Sequence, residues 1–167
     1  MTPDLSIDIT IEAGDWPADL EPLAERALLA ALEGSGRALA GPAEISVLLT
    51  TDAAQRELNA RWREIDKPTN VLSFPQIEPE DPVMGLLGDI SLAIETLERE
   101  AEEQQKPFAH HFAHLLVHGF LHILGYDHIE DDEAEAMEAR ERTILAQLDI
   151  PDPYDHMGVN DLEGASG

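Results

Sequence analysis

The chain reads as an α+β fold, a small mixed β-sheet packed against helices. Three observations point there. Three or four short β-branched stretches and five helical stretches succeed one another without strict alternation. Apolar residues make up 43% and charged residues 27% of 167 positions, the balance of a soluble globular protein with one core. One segment, HHFAHLLVHGFLHILGYDH from His110 to His128, is apolar on a helical period yet loaded with histidine.

Each element has its own signal. Leu5 to Ile11 alternates apolar and polar residues, as a half-buried strand does. Pro17 to Glu33 repeats Leu20, Leu23, Ala24, Ala27, Leu28 and Ala31 at helical spacing. Gly34-Ser35-Gly36 and Gly41-Pro42 frame a loop in which Arg37 to Ala40 is expected to prolong helix locally. Glu44 to Thr50 is a second strand, and Asp52 is the expected N-cap of a helix running to about Arg63. A proline-interrupted connection, Asp66 to Asn70, leads into an extended Val71 to Phe74, ended by Pro75.

Gln76 to Val83 is a polar, proline-rich loop, and Leu86 to Ala93 a buried strand in which Asp89 serves as a bulge or loop partner. Ile94 to Gln105 is helical, and Pro107 starts the histidine helix. Phe112, Leu115, Leu116 and Leu121 are its expected core contacts. A last helix runs from Asp131 or Asp132 to about Leu148, with carboxylates in its first turn, where they suit the positive end of the helix dipole. The domain spans 1–154, and the polar, glycine-containing tail 155–167 is expected to be disordered.

Composition narrows the chemistry. There is no cysteine, so a metal site must use nitrogen and oxygen ligands and disulfides are excluded. That fits the cytoplasm, as does an N-terminus without a basic, signal-like start. No apolar run approaches the ~18 residues that span a bilayer, so no membrane partner is expected. Ten basic against 35 acidic residues give a net charge of −25, which repels nucleic acid at long range. Locally, Glu130 to Glu141 holds seven carboxylates, whereas Arg56 to Lys67 holds four of the ten cations.

His118-x-x-x-His122-x-x-Gly125-x-x-His128 carries the chemistry. Histidines four apart on a helix share a face, with Cβ atoms about 5–6 Å apart. Gly125 can end the helix, and His128 returns to complete a site of three nitrogens. Three protein ligands leave a position for water or substrate, as in catalytic zinc. His110, His114, His118 and His122 all repeat at steps of four, so His114 with His118 is an alternative pair. Asp127 either orients a ligand through a hydrogen bond or simply begins the turn.

The spacing is similar to the long zinc-protease signature, and so predicts a zincin-like metal-binding helix, but Gly119 stands where the proteases carry their general base. Arg63 offers a planar, always-charged fork for a phosphate. Lys67 and Asn70 either contact substrate or serve as turn and cap residues.

Taken together, His118-Gly-Phe-Leu-His122-Ile-Leu-Gly-Tyr-Asp-His128, Trp62-Arg63, Asp66 to Pro75, Leu87 to Ile90 and Glu130 to Glu135 resemble the YbeY family of bacterial metal-dependent endoribonucleases. The resemblance covers about Leu5 to Tyr154. It implies a zinc-binding α+β fold, with His118, His122 and His128 as ligands and Arg63 as the catalytic arginine. It also implies single-strand-specific RNA cleavage in ribosomal RNA maturation, notably at the small-subunit 3′ end, and in ribosome quality control. RNA, the small ribosomal subunit and assembly proteins are then the expected partners, with no DNA. One zinc ion is the default, although nitrogen ligands also suit nickel, cobalt or iron. Cleavage proceeds by activated water or by internal attack of the 2′-hydroxyl. The alternatives are a non-catalytic ribosome-assembly adaptor with a structural metal and a metallopeptidase.

Overall fold

The computed structural model describes residues 4–17, 19–63, 71–78, 80–125 and 131–150, and not the side chains of residues 62, 63 and 131–134. Among them are four strands and five helices: β1 (Leu5–Ile11), α1 (Leu20–Gly34), β2 (Leu39–Thr50), α2 (Asp52–Arg63), β3 (Val71–Pro75), β4 (Val83–Ala93), α3 (Ile94–Glu103), α4 (Phe108–Ile123) and α5 (Asp131–Gln147). The sheet order is β1-β2-β4-β3. β2 pairs in parallel with β1 and with β4, and β3 lies antiparallel on β4, so the sheet is mixed as expected. Tail residues 155–167 lie outside the described residues.

Alternation sorts the sheet into two faces. Ile45, Val47, Leu49, Ile90 and Leu92 are buried in the core with Ala24, Ala27 and Leu28 of α1 and Phe112, Leu116 and Phe120 of α4. Leu115 and Leu121 are buried too, so all four expected core contacts of the histidine helix are made. Ser91 points the other way, where Gln55 of α2 donates to its carbonyl at 2.8 Å. Asp8, Ser46 and Asp89 form one row across that second face, in register from strand to strand. With Leu58 of α2 they line a cavity of about 540 Å³. No helix among the described residues is long and apolar enough to cross a membrane.

Two local expectations need correction. Arg37 to Ala40 does not prolong α1: β2 starts at Leu39 and continues through Gly41-Pro42 with a register shift. The strand survives there because proline is tolerated at irregular positions of a ladder. Arg37 instead donates to Leu124 O at 2.8 Å and Asp81 O at 2.6 Å, tying the end of α4 to the loop before β4.

Asp52 does not cap α2. Thr51 Oγ1 accepts from Ala54 N at 3.3 Å, while Asp52 Oδ1 accepts from Thr96 N at 3.0 Å, in the first turn of α3. Glu95 of α3 returns the bond, accepting from Asp52 N at 2.8 Å. Each helix start thus satisfies an orphan N–H of the other.

β4 is irregular where Leu87 is inserted opposite β2, between the Glu44–Leu86 and Ile45–Gly88 pairs. The next residue, Gly88, has φ +153°, and a Cβ there would meet Phe74 O at 2.6 Å. Asp89 is a regular strand residue just beyond this bulge.

Candidate functional site

The candidate site grows from α4. Backbone bonds mark its two ends. Pro107 precedes the first turn, and His111 N bonds back to Pro107 O at 3.2 Å. At the other end Gly125, with φ +109°, turns the chain out of the helix and donates to His122 O at 3.0 Å. The glycine-terminated turn is therefore present. Asp127 and His128, just past that turn, lie outside the described residues, as do Lys67 and Asn70. Arg63 is the last residue of α2, but its side chain is outside them as well.

The histidines at four-residue steps are not equivalent. The ring centroids of His118 and His122 are 5.0 Å apart, whereas those of His114 and His118 are 6.5 Å apart. An ion about 2.0–2.1 Å from one nitrogen of each ring, with a tetrahedral angle between them, sets ring centroids about 5 Å apart. A linear arrangement sets them about 6.5 Å apart on the same bond lengths. His118 and His122 thus stand at the separation of a tetrahedral pair, whereas His114 with His118 would need a nearly linear one. Two imidazoles are half a tetrahedral site, and no group of three or more potential ligands occurs among the described residues.

The structure adds a residue that sequence reasoning missed. Glu141 Oε1 lies 2.8 Å from His118 Nδ1 and 3.4 Å from His114 Nε2. Its side chain is almost fully buried. Burial pushes this carboxyl up, yet the hydrogen bonds from His114 and His118 outweigh it and hold it well below the usual carboxylate range. Burial lowers His114 in turn, against the pull of Glu141, so its ring is neutral at pH 7.

A signal for this residue exists in the sequence. Met137, Ile144 and Leu145 form the apolar stripe of α5, and Glu141 sits on it at helical spacing. A lone carboxylate on a buried stripe needs partners. Its membership of an acidic run with exposed neighbours conceals it.

Gly119 has a structural reason. A Cβ there would lie 3.3 Å from Ile90 Cγ2 and 3.4 Å from Val71 Cγ2, where α4 rests on the sheet. The position next to His118 faces packing, so a longer side chain would have to displace β3 and β4.

A profile of the Endoribonuclease YbeY family matches residues 8–149. The chain belongs to the YbeY family. YbeY endoribonucleases of Bradyrhizobium sp. and Rhodopseudomonas palustris are 54% and 53% identical over 154 residues, each alignment covering 88% of this chain and 90% of the relative. That of Sinorhizobium fredii is 50% identical over 169 residues, with 95% and 98% covered. The solution structure of a Thermotoga maritima protein matches at a TM-score of 0.56 and 25% identity, covering 92% of this chain and 98% of that one. The YbeY match includes both described histidines of the 5.0 Å pair, Glu141 and the end of α2.

Proposed function

We propose that this chain is a single-strand-specific, metal-dependent endoribonuclease acting in ribosomal RNA maturation, notably at the small-subunit 3′ end, and in ribosome quality control. The observation that carries the reading is the His118–His122 pair, set at the separation of a shared ion within a chain of the YbeY family. In this reading one domain, residues 1–154, bears a zincin-like helix, and His118, His122 and His128 supply three nitrogens to one zinc or similar ion. A bound ion of this kind acidifies water or polarises a phosphate oxygen.

The chain's own residues do the rest. Arg63 presents its fork to the phosphate and steadies charge that develops there. Lys67 and Asn70, in the connection after α2, hold the RNA strand, and Asp127 and His114 support the ligands. The partners are ribosomal RNA and assembly proteins of the small subunit, in the cytoplasm. A net charge of −25 favours delivery to RNA by a protein partner over capture of RNA from solution.

The same charge favours one rival, an assembly adaptor whose metal is structural. Peptide hydrolysis has less support, because position 119 is packed against the sheet and offers no base. Metal analysis of the purified protein, paired with cleavage of single-stranded and duplex RNA before and after chelation, tests the reading. Single-strand cleavage that stops on chelation and returns with zinc is expected. Arg63→Glu should keep the metal and lose cleavage. A metal-free protein that cleaves RNA at full rate overturns the metal reading, and a metal-loaded one that cleaves none supports the adaptor.

A further inference from the structure

We propose that Glu141 is a positioning residue that decides which imidazole of the histidine ladder becomes a ligand, by holding the Nδ1–H of His118 and turning its Nε2 toward the ion. The inference rests on the metal reading above. Three features of the pair itself support it.

The first is donor chemistry. An ionised carboxylate only accepts hydrogen bonds, so the imidazole nitrogen 2.8 Å from Glu141 Oε1 must carry the proton. A neutral imidazole has one N–H and one lone pair, and fixing the proton on Nδ1 leaves the lone pair on Nε2. A lone pair is what a metal requires.

The second is the contrast with His114. That ring meets the same oxygen through Nε2, the opposite nitrogen, at 3.4 Å. Its more distal nitrogen is therefore committed to α5, and its centroid stays 6.5 Å from that of His118. Shared by both rings, one oxygen thus favours opposite tautomers in two histidines of one helix. This breaks the ambiguity of a ladder in which His110, His114, His118 and His122 recur every four residues.

The third is burial. Glu141 sits among Met137, Ile144 and Leu145, where an unpaired carboxylate would be expensive. His114 and His118 of α4 supply partners that offset that cost. Carboxylates hydrogen-bonded to ligand histidines typically contribute 10–100-fold to metal affinity.

The test uses the full chain. In the ¹⁵N-labelled, metal-free protein, two-bond ¹H–¹⁵N correlations should show His118 as the Nδ1–H tautomer. Zinc affinity, measured by competition with a chromophoric chelator, should fall roughly 10-fold in Glu141→Gln, which keeps an accepting oxygen, and roughly 100-fold in Glu141→Leu. In Glu141→Gln, which preserves shape and one acceptor, His118 should begin to exchange tautomers. An Nε2–H tautomer for His118 in the unmodified protein overturns the proposal, whether or not the leucine variant folds. So does zinc affinity unchanged in the glutamine variant. Failure of the unmodified protein to bind zinc, with the Nδ1–H tautomer still present, instead overturns the metal reading and leaves Glu141 as the orienting partner of His118.

Discussion

The two ends of α4 carry the same pair of groups arranged in opposite senses. Near the start, His111 Nε2 and Glu100 Oε1 are 2.8 Å apart, the ring 3% exposed and the carboxylate 26%. Toward the end, His118 Nδ1 and Glu141 Oε1 are also 2.8 Å apart, but the ring is 20% exposed and the carboxylate 1%. In the first pair the imidazole is sealed in and the carboxylate reaches water. That is a core histidine with one polar edge satisfied, and burial accordingly lowers its pKa despite the bond to Glu100. In the second pair the carboxylate is hidden and the imidazole opens outward, where a ligand can meet it. Equal distances thus serve unequal purposes, and the buried partner tells them apart.

The comparison can be broken most sharply at the histidines. His122→Ala should remove metal and RNA cleavage together, a loss larger than the roughly 100-fold expected when only the supporting partner of a ligand is changed. His111→Ala should leave metal content intact and lower stability. Metal analysis and urea unfolding of both variants check the contrast, and equal metal loss in the two would erase it.

Glu100→Gln is the milder probe. It should cost about 1 kcal/mol, since glutamine keeps an accepting oxygen and removes only the charge that strengthens the bond, with zinc affinity unchanged. The same change at Glu141 should move zinc affinity.

Lys106 tests both pairs through pH. Burial lowers its ammonium to about 8, with Glu100 and Glu141 pulling the other way, so it feels both pairs. The folded state then gives up this proton first, and the unfolded chain binds more protons between about pH 8 and 10.5. The burial penalty is full below pH 8 and fades across that window. Lys106→Met should therefore stabilise the protein at pH 7.5, and urea midpoints should show the gain shrinking by pH 10.

Most of the fold is legible in the sequence because hydrophobic period and β-branching are local signals. β1, α2, β3, α3 and α5 lie close to where their sequences put them, as does the glycine stop at Gly125. The failures come where a partner distant in sequence decides. β2 runs through Gly41-Pro42 because β4 pairs with it, and Asp52 turns to α3 because Thr51 already serves its own helix. Glu141 is hidden by composition, since it faces inward from within a run of seven carboxylates. His118 and His122 can be singled out by spacing and are brought together. His128, Lys67, Asn70 and Asp127 lie outside the described residues.

The exchange of bonds between Asp52 and the Glu95–Thr96 start of α3 also decides where α2 is held. These contacts, with Gln55 on Ser91, grip α2 in its first turn, and its twelve residues run about 18 Å from that pivot to Arg63. The arginine therefore sits at the opposite end of the helix from the carboxylates that hold it.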